Sequence, residues 1–302
     1  MTKRNRLLVF LLICVMLGTG VLMIFTGLKP NYQPDMVAKK VDYTYRDFAA
    51  KHADIKDGVI VLAYHRILKD NQVVNFAQRV SKNPQLQEYN VSQAVFNAQM
   101  AWLKQERISV WSSDELLAHI KANDIKGKHV VITFDDIDTT LPRNAANMLF
   151  EKQFPFTFFV ITGQVGKNLD GEQLASWPEI EKLSQRPGVT VGLHTNDLHY
   201  QVNNQPVLAT HQVSQRDMIK DYKQSRTKIK AQLNRQPNVF AYPYGRANKT
   251  LTRHMMTHGV KGIYLLEPGI VTNDAQHMQQ QIPRFIITDK NFKQLQDWLV
   301  MK

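Results

Sequence analysis

The chain is 302 residues long, 43% apolar and 21% charged, with 38 basic against 26 acidic side chains and a single cysteine. That composition excludes a disordered or collagen-like chain and a disulfide-stapled miniprotein, and leaves room for one large globular domain or two modest ones. The net charge of +12 admits nucleic acid as a partner. However, seven of the cations fall between Arg216 and Arg235 against two Asp, with no interleaved aromatic binding motif. This is the pattern of a solvated helix face beside an anionic envelope, so no nucleic-acid partner is expected.

In chain order, residues 7–28 contain no charge and follow Lys3, Arg4 and Arg6. A bilayer core needs about 20 helical residues, and the basic flank stays in the cytoplasm, so residues 1–28 read as a basic tip and a single-pass transmembrane anchor. No Ala-x-Ala cleavage site follows Leu28; were the segment cleaved, the protein would instead be secreted. Either way the remainder lies outside the cell. Cys14 falls within the apolar run, which leaves the exterior part without disulfide or thiolate chemistry. Residues 29–57, with Pro30, Pro34 and many polar side chains, read as a linker with one short helix over 43–51.

From Gly58 onward, short apolar runs alternate with amphipathic stretches. The runs at 59–64, 129–134, 156–161, 189–193, 238–242, 262–265 and 282–287 predict strands, with a weaker one at 108–111. Between them, Ser92 caps a helix carrying Phe96, Met100 and Leu103, and Ser112 with Glu115 has capping-box spacing. Pro142 and Pro178 suit first helical turns, 214–234 is the longest helical pattern, and 292–299 closes the chain. This alternation implies a mainly parallel sheet, as a barrel or an open doubly wound sheet. A barrel places its chemistry past the C-terminal ends of several strands, and polar groups stand there: Asp135 and Asp136, His194, and Pro243-Tyr244-Gly245. The Gly-rich phosphate loop of an open nucleotide-binding sheet is absent.

Asp135 and Asp136 at a strand end are by themselves as consistent with a helix cap and turn as with catalysis. His194 and His199, five residues apart on a loop, are more telling, because two imidazoles and a carboxylate can hold a divalent ion and leave positions open for water and substrate. Thr-Phe-Asp-Asp at 133–136, His-Thr-x-x-x-His at 194–199 and Tyr-Pro-Tyr-Gly at 242–245, in that order, resemble the polysaccharide deacetylases with the NodB homology domain, carbohydrate esterase family four. Ala-Tyr-His-Arg at 63–66 and Ile-Pro-Arg at 282–284 resemble in particular the subgroup acting on poly-N-acetylglucosamine, the intercellular adhesin of biofilms. The resemblance covers residues 58–302 as one catalytic domain.

The resemblance implies a distorted (β/α) barrel of about seven strands behind the N-terminal transmembrane helix. It implies Asp135 as general base, Asp136, His194 and His199 as metal ligands, and the Tyr244 backbone N–H as oxyanion donor, with Pro243 and Gly245 shaping its turn. The cofactor is a divalent cation, zinc foremost, with cobalt or nickel also suited to such ligands. The implied partners are poly-N-acetylglucosamine or a related glycan such as peptidoglycan or chitin, the membrane, and an exopolysaccharide synthase; the chain is expected to be a monomer. A reading of another class is a degenerate, non-catalytic carbohydrate-binding surface protein.

Three departures from the family pattern stand out. Ile137 replaces a frequent Gly after the Asp pair. Ala241 stands where an arginine usually partners the base, with Arg284 or Arg143 as the replacement. The Leu-x-His segment that supplies the general acid reads Ile-Pro-Arg-Phe, so the acid is unassigned. His65 is read as a pocket wall or a packed core residue, Asp197 as orienting an imidazole or capping its loop, and Glu267 as a turn residue or substrate contact. Among the tryptophans, Trp177 is the candidate sugar platform.

Overall fold

The computed structural model describes residues 44–69, 89–169, 171–273 and 277–302. The proposed anchor at 7–28 lies outside them, and among the described residues no helix is long and apolar enough to cross a membrane.

Eight strands form the main sheet: β1 (Gly58–Tyr64), β2 (Ser109–Trp111), β3 (Lys128–Phe134), β4 (Phe156–Val160), β5 (Val189–Leu193), β6 (Val239–Ala241), β7 (Gly262–Tyr264) and β8 (Phe285–Ile286). They run in the order β7-β6-β5-β4-β3-β1-β8, all parallel, with β2 beside the first half of β3 and β4 beside its end. Parallel strands buried on both faces need continuous apolar runs, and β1 obeys this, with all of its residues buried. The sheet curls into a seven-strand half-barrel. Residues 282–287 span its two edges: Ile282 N–H donates to the Ile263 carbonyl (2.8 Å), and Ile287 N–H donates to the Ala63 carbonyl (3.0 Å). A strand over 282–287 is therefore interrupted. Ile282 bridges β7, Phe285 and Ile286 pair with β1, and Arg284 between them turns inward.

Among the described residues the α-helices are α1 (Phe48–Lys51), α2 (Gln93–Gln105), α3 (Ser113–Ala122), α4 (Ala146–Lys152), α5 (Trp177–Ser184), α6 (Gln215–Leu233), α7 (Lys249–Thr257) and α8 (Phe292–Val300). Ser92 accepts from the Val95 N–H, and Ser112 and Glu115 form the reciprocal capping box, which satisfies donors that a bare helix start leaves open. Pro142 lies in a π-helical turn, Leu141–Ala145, that leads into α4. Within the stretch read as a linker, Tyr45 and Phe48 are buried: the Tyr45 hydroxyl donates to the Ile286 carbonyl (3.1 Å), and Phe48 meets Phe285 and Trp298 edge to face. Each buried aromatic of this kind stabilises the fold by roughly 1.5–3 kcal/mol. The short antiparallel pairs at 168–173 and 201–206 carry no apolar alternation and had no counterpart among the predicted strands.

Candidate active site

Phe134 ends β3, and the next two side chains diverge. Asp135 turns into the barrel and is 1% exposed. Arg284, fully buried, grips it at two points: Nη1 donates to Oδ1 (2.6 Å) and Nη2 to Oδ2 (2.7 Å). Two further guanidinium donors are also satisfied, with Nε on the Leu265 carbonyl (2.8 Å) and Nη1 shared with the Thr133 hydroxyl (3.1 Å). The cation also lies over the rings of Phe159 and Tyr264. Burial alone would raise the Asp135 carboxyl, but the charge and hydrogen bonds of Arg284 hold it below the ordinary carboxylate range. The arginine missing at Ala241 is thus replaced from the other end of the chain by Arg284. Arg143 takes no part: it lies on the outer surface and pairs with Glu179 (3.2 Å).

Asp136 takes other partners, with its backbone in the left-handed region (φ 63°), and Ile137 follows at φ 47°. A β-branched residue there is strained by about 1–3 kcal/mol, a strain that a glycine would not carry. Asp136 Oδ1 is 3.3 Å from His194 Nε2 and 3.1 Å from His199 Nε2, and the three ligand atoms lie within 4.8 Å of one another. The carboxylate oxygen is buried with no hydrogen-bond partner among the described residues. Three lone-pair donors converge without a proton well placed to share between them, which fits a divalent cation. Two ligand atoms on a tetrahedral ion with arms of about 2.0–2.1 Å would be about 3.3 Å apart. The Ala241 carbonyl accepts from His194 Nδ1 (2.8 Å), so that nitrogen carries the proton and Nε2 offers its lone pair to the triangle. Ala241, the position lacking arginine, thereby orients a candidate ligand through its backbone.

His65, just past β1, places Nε2 3.8 Å from Asp135 Oδ2, with its ring edge-on to Tyr89. Burial lowers its affinity for a proton, while Asp135 and Asp136 work in the other direction. Pro243-Tyr244-Gly245 makes a tight turn with Tyr244 at φ 57° and Gly245 at φ 69°, and a side chain at Gly245 would collide with the backbone of Leu266. The turn sets the Tyr244 ring 5.1 Å from that of His199. Asp197 does not orient an imidazole. It accepts from Asn196 Nδ2 (2.5 Å) and Gln164 Nε2 (3.1 Å), and the absence of a side chain at Gly163 makes room for it. Glu267 is exposed and contributes its carbonyl to the Arg284 N–H (3.1 Å). Trp177 opens α5 and packs partly buried on the core.

Sequence reasoning missed two groups. Arg66, next to His65, bonds Asp138 (3.2 Å) and Glu172 (3.2 Å), tying the loop after Asp136 to the 168–173 hairpin. Asp221 and Ser225 of α6 grip the loop between His194 and His199. Their signal was present in the pattern: Asp221 and Ser225 share a face with Met218, Tyr222 and Ile229, polar residues on the buried side of an otherwise charged helix.

The fold and this rim of polar groups define a class, and the chain belongs to the polysaccharide deacetylase family, hydrolases of amide bonds in acetylated glycans. A family model described as polysaccharide deacetylase matches residues 122–263. The chain is 31% identical over 242 residues to the poly-beta-1,6-N-acetyl-D-glucosamine N-deacetylase of Staphylococcus aureus, covering 80% of this chain and 82% of that protein. It is 27% identical over 247 residues to the enzyme of that name from Staphylococcus epidermidis, covering 80% of this chain and 84% of that protein. Among solved structures, IcaB from Ammonifex degensii is similar with a TM-score of 0.69 and 28% identity, over 80% of this chain and 97% of that one. A Streptococcus pyogenes deacetylase in complex with acetate has the same fold, with a TM-score of 0.64 and 22% identity over 80% of this chain and 98% of that one.

Proposed function

We propose that this protein removes N-acetyl groups from poly-N-acetylglucosamine outside the cell, releasing acetate and leaving free amines on the polymer. The observation that carries this reading is the division of labour between adjacent carboxylates. Asp135 is held ionised by Arg284 and kept off the metal triangle, while Asp136 joins His194 and His199 in it. Similarity to the staphylococcal N-deacetylases supports this choice of glycan.

Asp136, His194 and His199 would hold a divalent cation, for which zinc is the first expectation and cobalt or nickel also suit the donors. Such an ion supplies polarisation of the acetyl carbonyl and a lowered pKa for bound water. Asp135 takes the proton of the attacking water, and its fixed geometry keeps the lone pair aimed without reorganisation. The turn at Tyr244 supports the reading of its peptide as the donor to the developing oxyanion. His65 is the non-ligand imidazole beside Asp135 and forms part of the pocket wall there.

The uncharged run at 7–28 supports anchoring in the cell membrane by a single span, with the catalytic domain outside, where an exopolysaccharide synthase would deliver its polymer. The product amines are protonated near neutral pH, so the polymer becomes a polycation suited to an anionic surface. The test is acetate release by the full chain from purified poly-N-acetylglucosamine, peptidoglycan and chitin oligomers, with and without added zinc. Release from the first polymer above the others supports the proposal; preference for another polymer overturns the substrate, and release from none overturns the function.

A further inference from the structure

The loop between the two candidate histidine ligands carries a constraint that lies wholly outside the ligand set. Residues 195–198 leave β5 with Thr195 in the left-handed region (φ 71°), and the next three peptides turn their N–H groups toward one carboxylate on α6. Asp221 Oδ1 accepts from the Asn196 N–H (2.8 Å), and Oδ2 accepts from those of Asp197 (2.7 Å) and Leu198 (3.2 Å). One turn further along α6, the buried Ser225 hydroxyl donates to the Thr195 carbonyl (3.2 Å). Every peptide from 195 to 198 is therefore tied to one helix face. Three consecutive N–H groups around an anion form a rigid concavity, and this one spans the interval that separates His194 from His199.

Resting on the reading that Asp136, His194 and His199 hold a divalent cation, we propose that Asp221 is a positioning residue that fixes His199 relative to His194 and so sets the affinity of that site. His194 needs little help, because β5 and the Ala241 carbonyl already orient it. His199 has no such strand behind it, and its Nδ1 is buried with no hydrogen-bond partner among the described residues. Its place is dictated by the backbone before it: the Thr162 and Gly163 N–H groups hold the Thr195 and Asn196 carbonyls (3.1 and 2.8 Å), and Asp221 alone serves the three N–H groups of residues 196–198 that lead to His199. Without the carboxylate, the stretch from Asp197 to His199 loses its acceptor and must be ordered in part by the cation, and the cost of that ordering is subtracted from binding.

Asp221→Asn is the sharp variant. An amide keeps one acceptor and sets an NH2 against the N–H groups the other oxygen had served. Burial already pushes the Asp221 carboxyl up from its ordinary range, against the hydrogen bonds from Asn196, Asp197 and Leu198, so neutralising it also removes a desolvation cost and the variant is expected to fold. Zinc binding to the metal-stripped full chain is measured by calorimetry, with thermal unfolding alongside and His199→Ala as reference. The wild type is expected to bind one zinc, and His199→Ala to lose it. Asp221→Asn should weaken the affinity by roughly 10–100-fold, with deacetylation restored toward wild type at saturating zinc. Ser225→Ala should show a smaller loss of the same kind. If the wild type binds no zinc, the metal reading itself falls and the inference with it. If the wild type binds and Asp221→Asn binds equally well, only the inference is overturned. If Asp221→Asn does not fold, Ser225→Ala decides, and an affinity equal to wild type overturns the positioning role.

Discussion

The pocket behind Asp135 and the triangle in front of Asp136 begin one peptide bond apart and are built in opposite ways. Behind Asp135 the charges are matched: a buried carboxylate meets a buried guanidinium at two points, and two further donors reach a carbonyl and a hydroxyl. In front of Asp136, two imidazole nitrogens converge on a carboxylate oxygen that has no hydrogen-bond partner among the described residues. The first arrangement is complete as folded, whereas the second fits a cation that would satisfy all three atoms. One strand end supports both because the chain leaves extended geometry after Asp135: the positive φ of Asp136 turns the backbone there, and the two carboxylates take different partners.

Substitutions at the two carboxylates break this comparison most completely. Asp136→Ala removes a ligand and is expected to lose both bound zinc and acetate release. Asp135→Asn keeps the triangle and is expected to hold zinc as the wild type does while losing roughly 10²–10⁴-fold in turnover. Parallel zinc analysis and acetate assays on the two proteins check it, and full activity in either would refute the division of labour.

Arg284→Met addresses the matched side alone. It leaves Asp135 buried without its counter-charge, and breaking a buried pair in this way costs roughly 3–5 kcal/mol. With burial then dominant, the Asp135 carboxyl should move above its ordinary range, so the acid limb of the pH–rate profile shifts to higher pH. In the wild type the carboxyl is depressed. The pair's stabilisation is therefore fully present above the ordinary aspartate range and is lost as pH falls through the folded value. Denaturant unfolding of Arg284→Met at neutral pH and the two pH–rate profiles are the measurements, and an unshifted acid limb would detach Arg284 from the base.

How much of this was readable from residues alone follows the same divide. The strands were legible because parallel strands buried on both faces write themselves as unbroken apolar runs, and the residues at their ends follow by position. Asp135, Asp136 and His194 could be placed on one rim for that reason. Arg284 was nameable only as one of two candidates, since nothing local at 282–284 shows that the strand breaks to send one side chain inward, 149 positions away from Asp135. Asp221 was hidden in a helix whose charge dominates its composition. The short pairs at 168–173 and 201–206 are set by tertiary contacts and have no period to read.

On the triangle's side, zinc itself is the probe. A ligand present at about 100 times its dissociation constant stabilises the folded state by about 2.7 kcal/mol. Zinc should therefore raise the unfolding temperature of the wild type, chelation should reverse the rise and abolish acetate release, and His199→Ala should show neither thermal effect. Equal shifts in wild type and variant would place the binding elsewhere on the protein.

The smallest expected effect sharpens the comparison at the rim, where Arg66 links Asp138 and Glu172. Burial pushes the Glu172 carboxyl from 4.5 up to about 7; Arg66 opposes the rise, while Asp136 and Asp138 add to it. The folded state thus holds this proton more tightly than the unfolded chain. Between about pH 4.5 and 7 it binds more protons, so this contribution to stability is fully present below that window and is lost as pH rises through it. Glu172→Gln keeps an acceptor for Arg66 and removes the titration. Relative to wild type, its unfolding temperature should therefore gain as pH rises from 5 to 7, by an amount corresponding to on the order of 1–2 kcal/mol after allowance for partial exposure. Thermal unfolding at half-unit steps across that range would show it, and parallel curves for the two proteins would mean that Glu172 does not titrate there. A confirmed slope would mark the network around Arg66 as a third kind of environment, in which burial, helped by the charges of Asp136 and Asp138, keeps one carboxyl neutral despite its arginine partner.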